Sequence, residues 1–168
     1  MHNVGIHSTI IIDTYKALFL SYLSYCVIVY GTSHAYLLDK LQVLQNNAIR
    51  AMFGYKRDTN VKETMLKHKL LSVRYIYKFE LGIFAYKNFN NQFVKDMSYY
   101  FDPNKNQNRH SKPLKLPVTR CNYRLNSADV AMARLWNNMS DELRGCETTR
   151  VFKRKWFNQV ILDQSVEQ

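Results

Sequence analysis

The residues with the clearest chemical potential in this chain are cations. Between Arg50 and Lys78 stand Arg50, Lys56, Arg57, Lys62, Lys67, Lys69, Arg74 and Lys78, against Asp58 and Glu63 as the acids. Cations at that density neutralise phosphates and release the counterions condensed on a polyanion. A second basic run, Asp102–Asn126, carries Lys105, Arg109, Lys112, Lys115, Arg120 and Arg124 against the single acid Asp102. Phosphate contact is expected at Arg50, Lys56, Arg57, Lys67, Arg74 and Lys78 in the first run, and at Arg109, Lys112, Arg120 and Arg124 in the second. The competing reading of the first run is a solvated helix face. The second run fits a strap lying on nucleic acid, with Tyr123 available to stack on a base, and equally a linker kept in solvent by its charge.

Other chemistries find no support. The three cysteines (Cys26, Cys121, Cys146) are unpaired in spacing, and the five histidines are scattered, so no zinc site or disulfide framework is expected. No catalytic residue, metal or cofactor is expected. That cysteine usage fits a reducing compartment, and the N-terminal MHNVGIHST lacks the basic region of a signal peptide. The expected location is intracellular, nuclear or cytoplasmic. The chain has 168 residues, 46% hydrophobic and 14% aromatic, enough to bury a core. Its net charge of +11 is the strongest bulk signal and points to a polyanionic partner.

The elements that must position these cations read as helices. Ser8 or Thr9 is placed to cap a first helix, Ile10–Tyr30, stopping at Gly31. Its stretch Ala17–Gly31, ALFLSYLSYCVIVYG, is the most apolar of the chain. Ala17, Ser21 and Ser24 form a narrow face of small residues, while Leu18, Tyr22, Tyr25 and Val29 line another side. A helix apolar nearly all round is expected to be buried on several sides, with Cys26 an inert buried thiol. No charge occurs from Ala17 to Leu38, but Gly31-Thr32-Ser33-His34 breaks that span with a turn and cap signal. A core helix is therefore favoured over a membrane span.

A second helix follows, His34–Phe53, capped by Ser33 and closed by Gly54, with Leu37, Leu41, Leu44 and Ala48 as its apolar stripe and Leu38, Ile49 and Met52 beside it. Asn60 and Glu63 stand in capping-box relation before a short helix, Val61–Lys67. Ser72 caps Val73–Asn88, whose core stripe is Ile76, Phe79 and Ile83. A helical piece at Gln92–Tyr100 precedes the Pro- and Asn-rich basic run, which has room for one short strand around Leu114–Thr119. Ser127 then caps Ala128–Asn137, Asp141-Glu142 fall in a turn, and Thr148 or Thr149 opens Arg150–Leu162 with Phe152, Trp156 and Val160 buried. Both tryptophans, Trp136 and Trp156, lie on apolar stripes and read as core. The fold class is all-α: a helical body over residues 8–100, a basic linker over 101–126 and a helical C-terminal segment over 127–164.

The order of these motifs resembles the region after the polymerase core in LINE-type (non-LTR) retrotransposon reverse transcriptases. There a helix ending in hLSYxhhhWG precedes an LxxLQxxAhRhh helix. Here Leu23-Ser24-Tyr25 and Gly31 match, with Tyr30 in place of the Trp, and Leu41, Leu44, Gln45, Ala48, Ile49 and Arg50 match the second pattern. Near the end, LPVTRCN, RLWNNMSDELR and VFKRKW are similar to the family's WNxLPxEhR…FKxxhK region. Trp136, Asn137, Glu142, Arg144, Phe152 and Lys153 fit it, and Met139-Ser140 replaces Leu-Pro. The resemblance implies a thumb-like helical bundle and following segment that contact RNA or an RNA–DNA duplex. A polymerase palm or another protein is the further partner it implies. The family's two-metal chemistry needs an Asp-Asp turn, and no Asp-Asp occurs in the chain. A non-catalytic fragment starting near the thumb is therefore expected. The alternative is a helical relic or protein-interaction module with no nucleic-acid role.

Overall fold

The computed structural model describes residues 8–90, 114, 116 and 126–166. The fold is all-α. In chain order come α1 (Ser8–Tyr15), a π-helical turn (Lys16–Leu20), α2 (Ser21–Ser24), α3 (Val27–Tyr30) and α4 (Ala35–Phe53). They are followed by α5 (Lys62–Lys67), α6 (Val73–Phe89), α7 (Ala128–Asn138), α8 (Asp141–Arg144) and α9 (Thr149–Val166). Two compact units form, Met1–Tyr77 with Ile161–Gln168, and Lys78–Val160; the division falls within α6 and α9. No helix among the described residues is long and apolar enough to cross a membrane. The expected helix at Gln92–Tyr100 lies outside the described residues, as does the strand expected around Leu114–Thr119 apart from Leu114 and Leu116.

In the first unit, Tyr15, Ile49, Val61, Met65 and Leu70 form a hydrophobic cluster with Ile12, Leu20, Met52 and Phe53 packed on it. The turn from α5 into α6 enters the same interior, because Leu70, Leu71 and Val73 are buried. Backbone polar groups taken inside must find partners, and glutamines provide them. Gln164 donates to the Leu70 carbonyl (3.1 Å) and accepts from the Ser72 N–H (2.9 Å). Gln45 donates to the Leu71 carbonyl (2.8 Å) and to the Tyr15 hydroxyl (2.7 Å). Gln42 accepts from the Val73 N–H (2.9 Å) and donates to Gln45 (2.9 Å). Gln45 and Gln164 are each 1% exposed.

The N-terminal segment differs from the single buried helix expected over Ile10–Tyr30. Cys26 takes a left-handed conformation (φ 53°), which ends the helical ladder after Ser24 and restarts it at Val27. The Tyr30 hydroxyl donates to the Leu23 carbonyl across this break. Of the described residues before Gly31, only Tyr15 and Val27 are buried. Tyr22 is 82% exposed, Tyr25 76% and Val29 73%; Leu18 and Cys26 are exposed too. An apolar pattern on all sides specifies no single inward face, and here Tyr15 and Val27 supply the contact. The thiol of Cys26 is therefore not a core group.

The stripe of α4 is corrected in part. Leu38, Ala48 and Ile49 are buried as expected, but Leu37 and Leu44 are exposed and Gln45 completes the inward face. The reason is the buried Gln45, which turns the helix so that an amide enters the core where a leucine was expected. At Gly31 the φ is an ordinary −66°, so the glycine is there for space: a Cβ would lie 2.1 Å from the Tyr77 ring. Burial pushes the Tyr77 hydroxyl up to about 12, and that hydroxyl has no hydrogen-bond partner among the described residues.

The second unit is built from aromatic stacking. Tyr86 stacks on Phe152 (4.2 Å) and Phe89 on Trp136 (4.2 Å), and the Tyr86 hydroxyl donates to the Cys146 carbonyl. Phe152, Trp156 and Val160 are buried on α9, as their spacing predicts, and Trp136 is buried on α7. Asp141 and Glu142 begin the short helix α8, where a turn was expected. Asn137 grips the backbone of Leu114 with two bonds of 3.0 Å, accepting from its N–H and donating to its carbonyl. On α6, Gly82 lets the Trp156 indole lie against the helix and donate to the Phe79 carbonyl (3.1 Å).

Two stability predictions follow from these contacts. Gln164→Ala strands a buried N–H and a buried carbonyl, at about 1–3 kcal/mol each; urea denaturation of the variant should show a lowered midpoint. Gly82→Ala would normally stabilise a helix by about 1 kcal/mol. Here the new Cβ would meet Trp156 Nε1 at 2.2 Å, and overpacking costs about 1–3 kcal/mol. Thermal melting should therefore show a fall in Tm, and a rise would disprove the packing argument.

Candidate nucleic-acid interface

Helix α4 closes with a left-handed Gly54 (φ 67°). The Tyr55 N–H reaches back to the Arg50 carbonyl (2.8 Å) and the Gly54 N–H to Ala51 (3.4 Å), a Schellman cap. The chain then turns through Lys56–Thr59, with the Thr59 N–H on the Lys56 carbonyl (3.0 Å). Arg50 holds this turn, donating through Nε to the Thr59 carbonyl (2.9 Å) and through a terminal nitrogen to Asn47 (3.0 Å). Asn60 accepts from the Lys62 N–H (3.0 Å), not from Glu63 as the expected capping box requires, and α5 starts one residue later than expected, at Lys62 with Val61 as its N-cap.

Helix α5 closes in the same manner, with Lys69 in the left-handed position (φ 53°). The Leu70 N–H bonds the Met65 carbonyl (2.7 Å) and the Lys69 N–H bonds Leu66 (3.1 Å). The stretch Gly54–Leu70 is thus bracketed by two Schellman caps. Lys56, Arg57, Lys62, Lys67 and Lys69 along it are all exposed, and among the described residues none of them is paired with a carboxylate.

The expected phosphate contacts therefore divide. Lys56, Arg57 and Lys67 project from one turn and the adjoining short helix. Arg50 is half-buried and already engaged by the turn it holds. Arg74 is exposed but pairs with Asp39 at 2.8 Å. Lys78 belongs to the second unit. Arg109, Lys112, Arg120 and Arg124 lie outside the described residues, as does Tyr123.

Sequence reasoning missed the aromatics beside these cations. Phe53 stacks with Tyr55 (5.6 Å, 19°) and with His68 (5.3 Å, 27°), forming a three-ring stack with Phe53 central. Phe53 is rooted in the hydrophobic cluster, while Tyr55 is exposed and its hydroxyl accepts from Thr64 at 3.3 Å. The signal that was available is the interleaving of rings and cations in Phe53-Gly54-Tyr55-Lys56-Arg57.

An open cleft in the second unit is lined by Asp141, Glu142, Cys146, Glu147 and Lys155, among others. Glu142 is held by Lys155 at 2.7 Å, and the hydrogen bond and charge of that lysine lower the carboxyl below its usual range. Among the described residues no group of His, Cys, Asp or Glu is arranged to hold a metal. Compared with protein-family models, with curated proteins and with solved structures, the chain matches none.

Proposed function

We propose that this chain is a nucleic-acid-binding helical module, equivalent to the thumb and post-thumb region of a LINE-type reverse transcriptase, acting inside the cell. In this reading it contacts RNA or an RNA–DNA duplex through phosphates and carries no polymerase chemistry of its own. The observation that carries the reading is the rigidly capped segment Gly54–Leu70, which displays five exposed cations against Asp58 and Glu63. A net charge of +11 supplies the attraction at longer range. Phosphate neutralisation releases counterions, so affinity falls steeply with salt. Fluorescence anisotropy on labelled RNA and RNA–DNA duplex should show a log–log salt slope that shrinks by about 1 for each cation removed. The double variant Lys56→Glu/Arg57→Glu should accordingly bind more weakly at low salt and respond less to added salt. Absence of binding at low salt would defeat the proposal.

A second reading is favoured by the exposed apolar residues of the first unit. Leu18, Tyr22, Tyr25 and Val29 are joined in exposure by Tyr36, Val43 and Leu44 on α4. Large exposed apolar surface marks protein contact. The resemblance names a polymerase palm as the protein that would cover it. On this reading the isolated chain self-associates, and Tyr22→Lys/Tyr25→Lys returns it to a monomer in sedimentation velocity. A wild-type chain that stays monomeric at micromolar concentration and above would count against it.

A further inference from the structure

The geometry points to a platform for an unpaired base: the Tyr55–Phe53–His68 stack, flanked by Lys56, Arg57, Lys67 and Lys69, binds single-stranded nucleic acid in preference to duplex. This inference rests on the nucleic-acid reading and makes it more specific.

Three observations carry it. The first is the stack itself. Phe53 is the central ring and is anchored in the cluster of Tyr15, Ile49, Val61, Met65 and Leu70. Tyr55 is the exposed ring of the three, at 39%, and stacks on Phe53 with ring centroids 5.6 Å apart. Its edge is held by Thr64, so the ring is oriented in advance. A base stacking on a fixed aromatic face loses little additional side-chain freedom, and every base has such a face.

The second observation is the charge placed on both sides. Lys56 and Arg57 follow Tyr55 directly in the chain, while Lys67 and Lys69 enclose His68. All four are exposed. Cations at both ends of an aromatic stack suit a strand whose base is inserted and whose flanking phosphates remain outside. In a duplex the bases are paired and stacked on one another, so away from its two ends an isolated ring has no base face to meet.

The third is Lys69. The left-handed position that closes a helix is normally glycine, because a side chain there is strained. Here it is lysine, at φ 53°, and exposed. Its cation does lie near the carbonyl end of α5, but that favourable charge could be carried by a neighbouring residue without backbone strain. A strained residue kept on a surface beside an exposed aromatic and exposed cations fits a functional site.

The test uses the full chain and fluorescein-labelled 12-mers, single-stranded RNA and DNA and the matching RNA–DNA duplex, at low and moderate salt. Tyr55→Ala should weaken single-strand binding by about tenfold to a hundredfold with little change in the salt slope. Duplex binding should change by less than about twofold, and Tyr55→Phe should restore the single-strand affinity. Lys69→Gly should raise Tm by about 2–4 °C while reducing the single-strand salt slope by about 1. A similar ratio for RNA and DNA strands locates recognition in the base face and phosphates; a strong RNA preference adds the 2′-hydroxyl to the same platform. Circular dichroism of Tyr55→Ala and Tyr55→Phe separates loss of the ring from loss of the fold. If Tyr55→Ala weakens duplex and single strand equally, or neither, the platform is wrong while nucleic-acid binding stands. If the wild type binds none of the probes, the parent reading and this inference fall together.

Discussion

Four backbone polar groups in the buried turn Leu70–Val73 have glutamine side chains as their partners, and the first unit depends on that arrangement. The turn carries Leu70, Leu71 and Val73 into the interior, which removes water from its carbonyls and N–H groups. Gln42, Gln45 and Gln164 replace the water with hydrogen bonds of 2.8–3.1 Å. Each unmet group would cost about 1–3 kcal/mol, a large share of the usual 5–15 kcal/mol of net stability. Gln45 also receives the Tyr15 hydroxyl into the network, so the N-terminal helix is fixed by the bonds that fix the turn. Burial raises the Tyr15 pKa, and the Gln45 hydrogen bond opposes that rise.

The exposed chemistry is mounted on this frame. The segment between α4 and α6 begins at the Gly54 cap and ends at the Lys69 cap. Arg50 and Asn60 fasten the turn between them. Val61, Met65 and Leu70 bury its underside in the cluster that Tyr15 and Ile49 complete. A loop held at both ends, in its middle and from beneath fixes the backbone positions from which its cations project.

How much of this was legible in the sequence depends on the period of each signal. The stripe Phe152, Trp156 and Val160 repeats every four residues and is buried as its spacing predicts. Gly54 as a left-handed stop was legible from composition and position alone. The first helix was not, because an apolar residue at nearly every position carries no phase, and the break at Cys26 has no glycine or proline to announce it. The α4 face was legible in Leu38, Ala48 and Ile49 but not in Gln45: a rule that assigns leucines inward and amides outward cannot foresee a glutamine whose partners Tyr15 and Leu71 lie 30 and 26 residues away in sequence. The candidate site was half legible. Its charges are visible as letters, whereas the Tyr55–Phe53–His68 stack joins residues across α5 and exists only once that helix is folded.

The residues that carry the resemblance are mostly occupied in holding the fold. Gln45 serves the buried turn, Ala48 and Ile49 face the core, and Arg50 fastens Lys56–Thr59. Trp136 stacks on Phe89, Asn137 grips Leu114, and Arg144 donates to the Trp136 carbonyl and pairs with Asp141. Tyr55, Lys56, Arg57 and Lys69, by contrast, fall outside those motif letters. The frame constrains residues by geometry, since each must meet a particular buried group. The exposed segment is constrained only by its caps and its buried underside, so its outward side chains answer to no buried group. The letters that carry the resemblance therefore describe the scaffold, and the proposed nucleic-acid contacts rest on residues that those letters leave out.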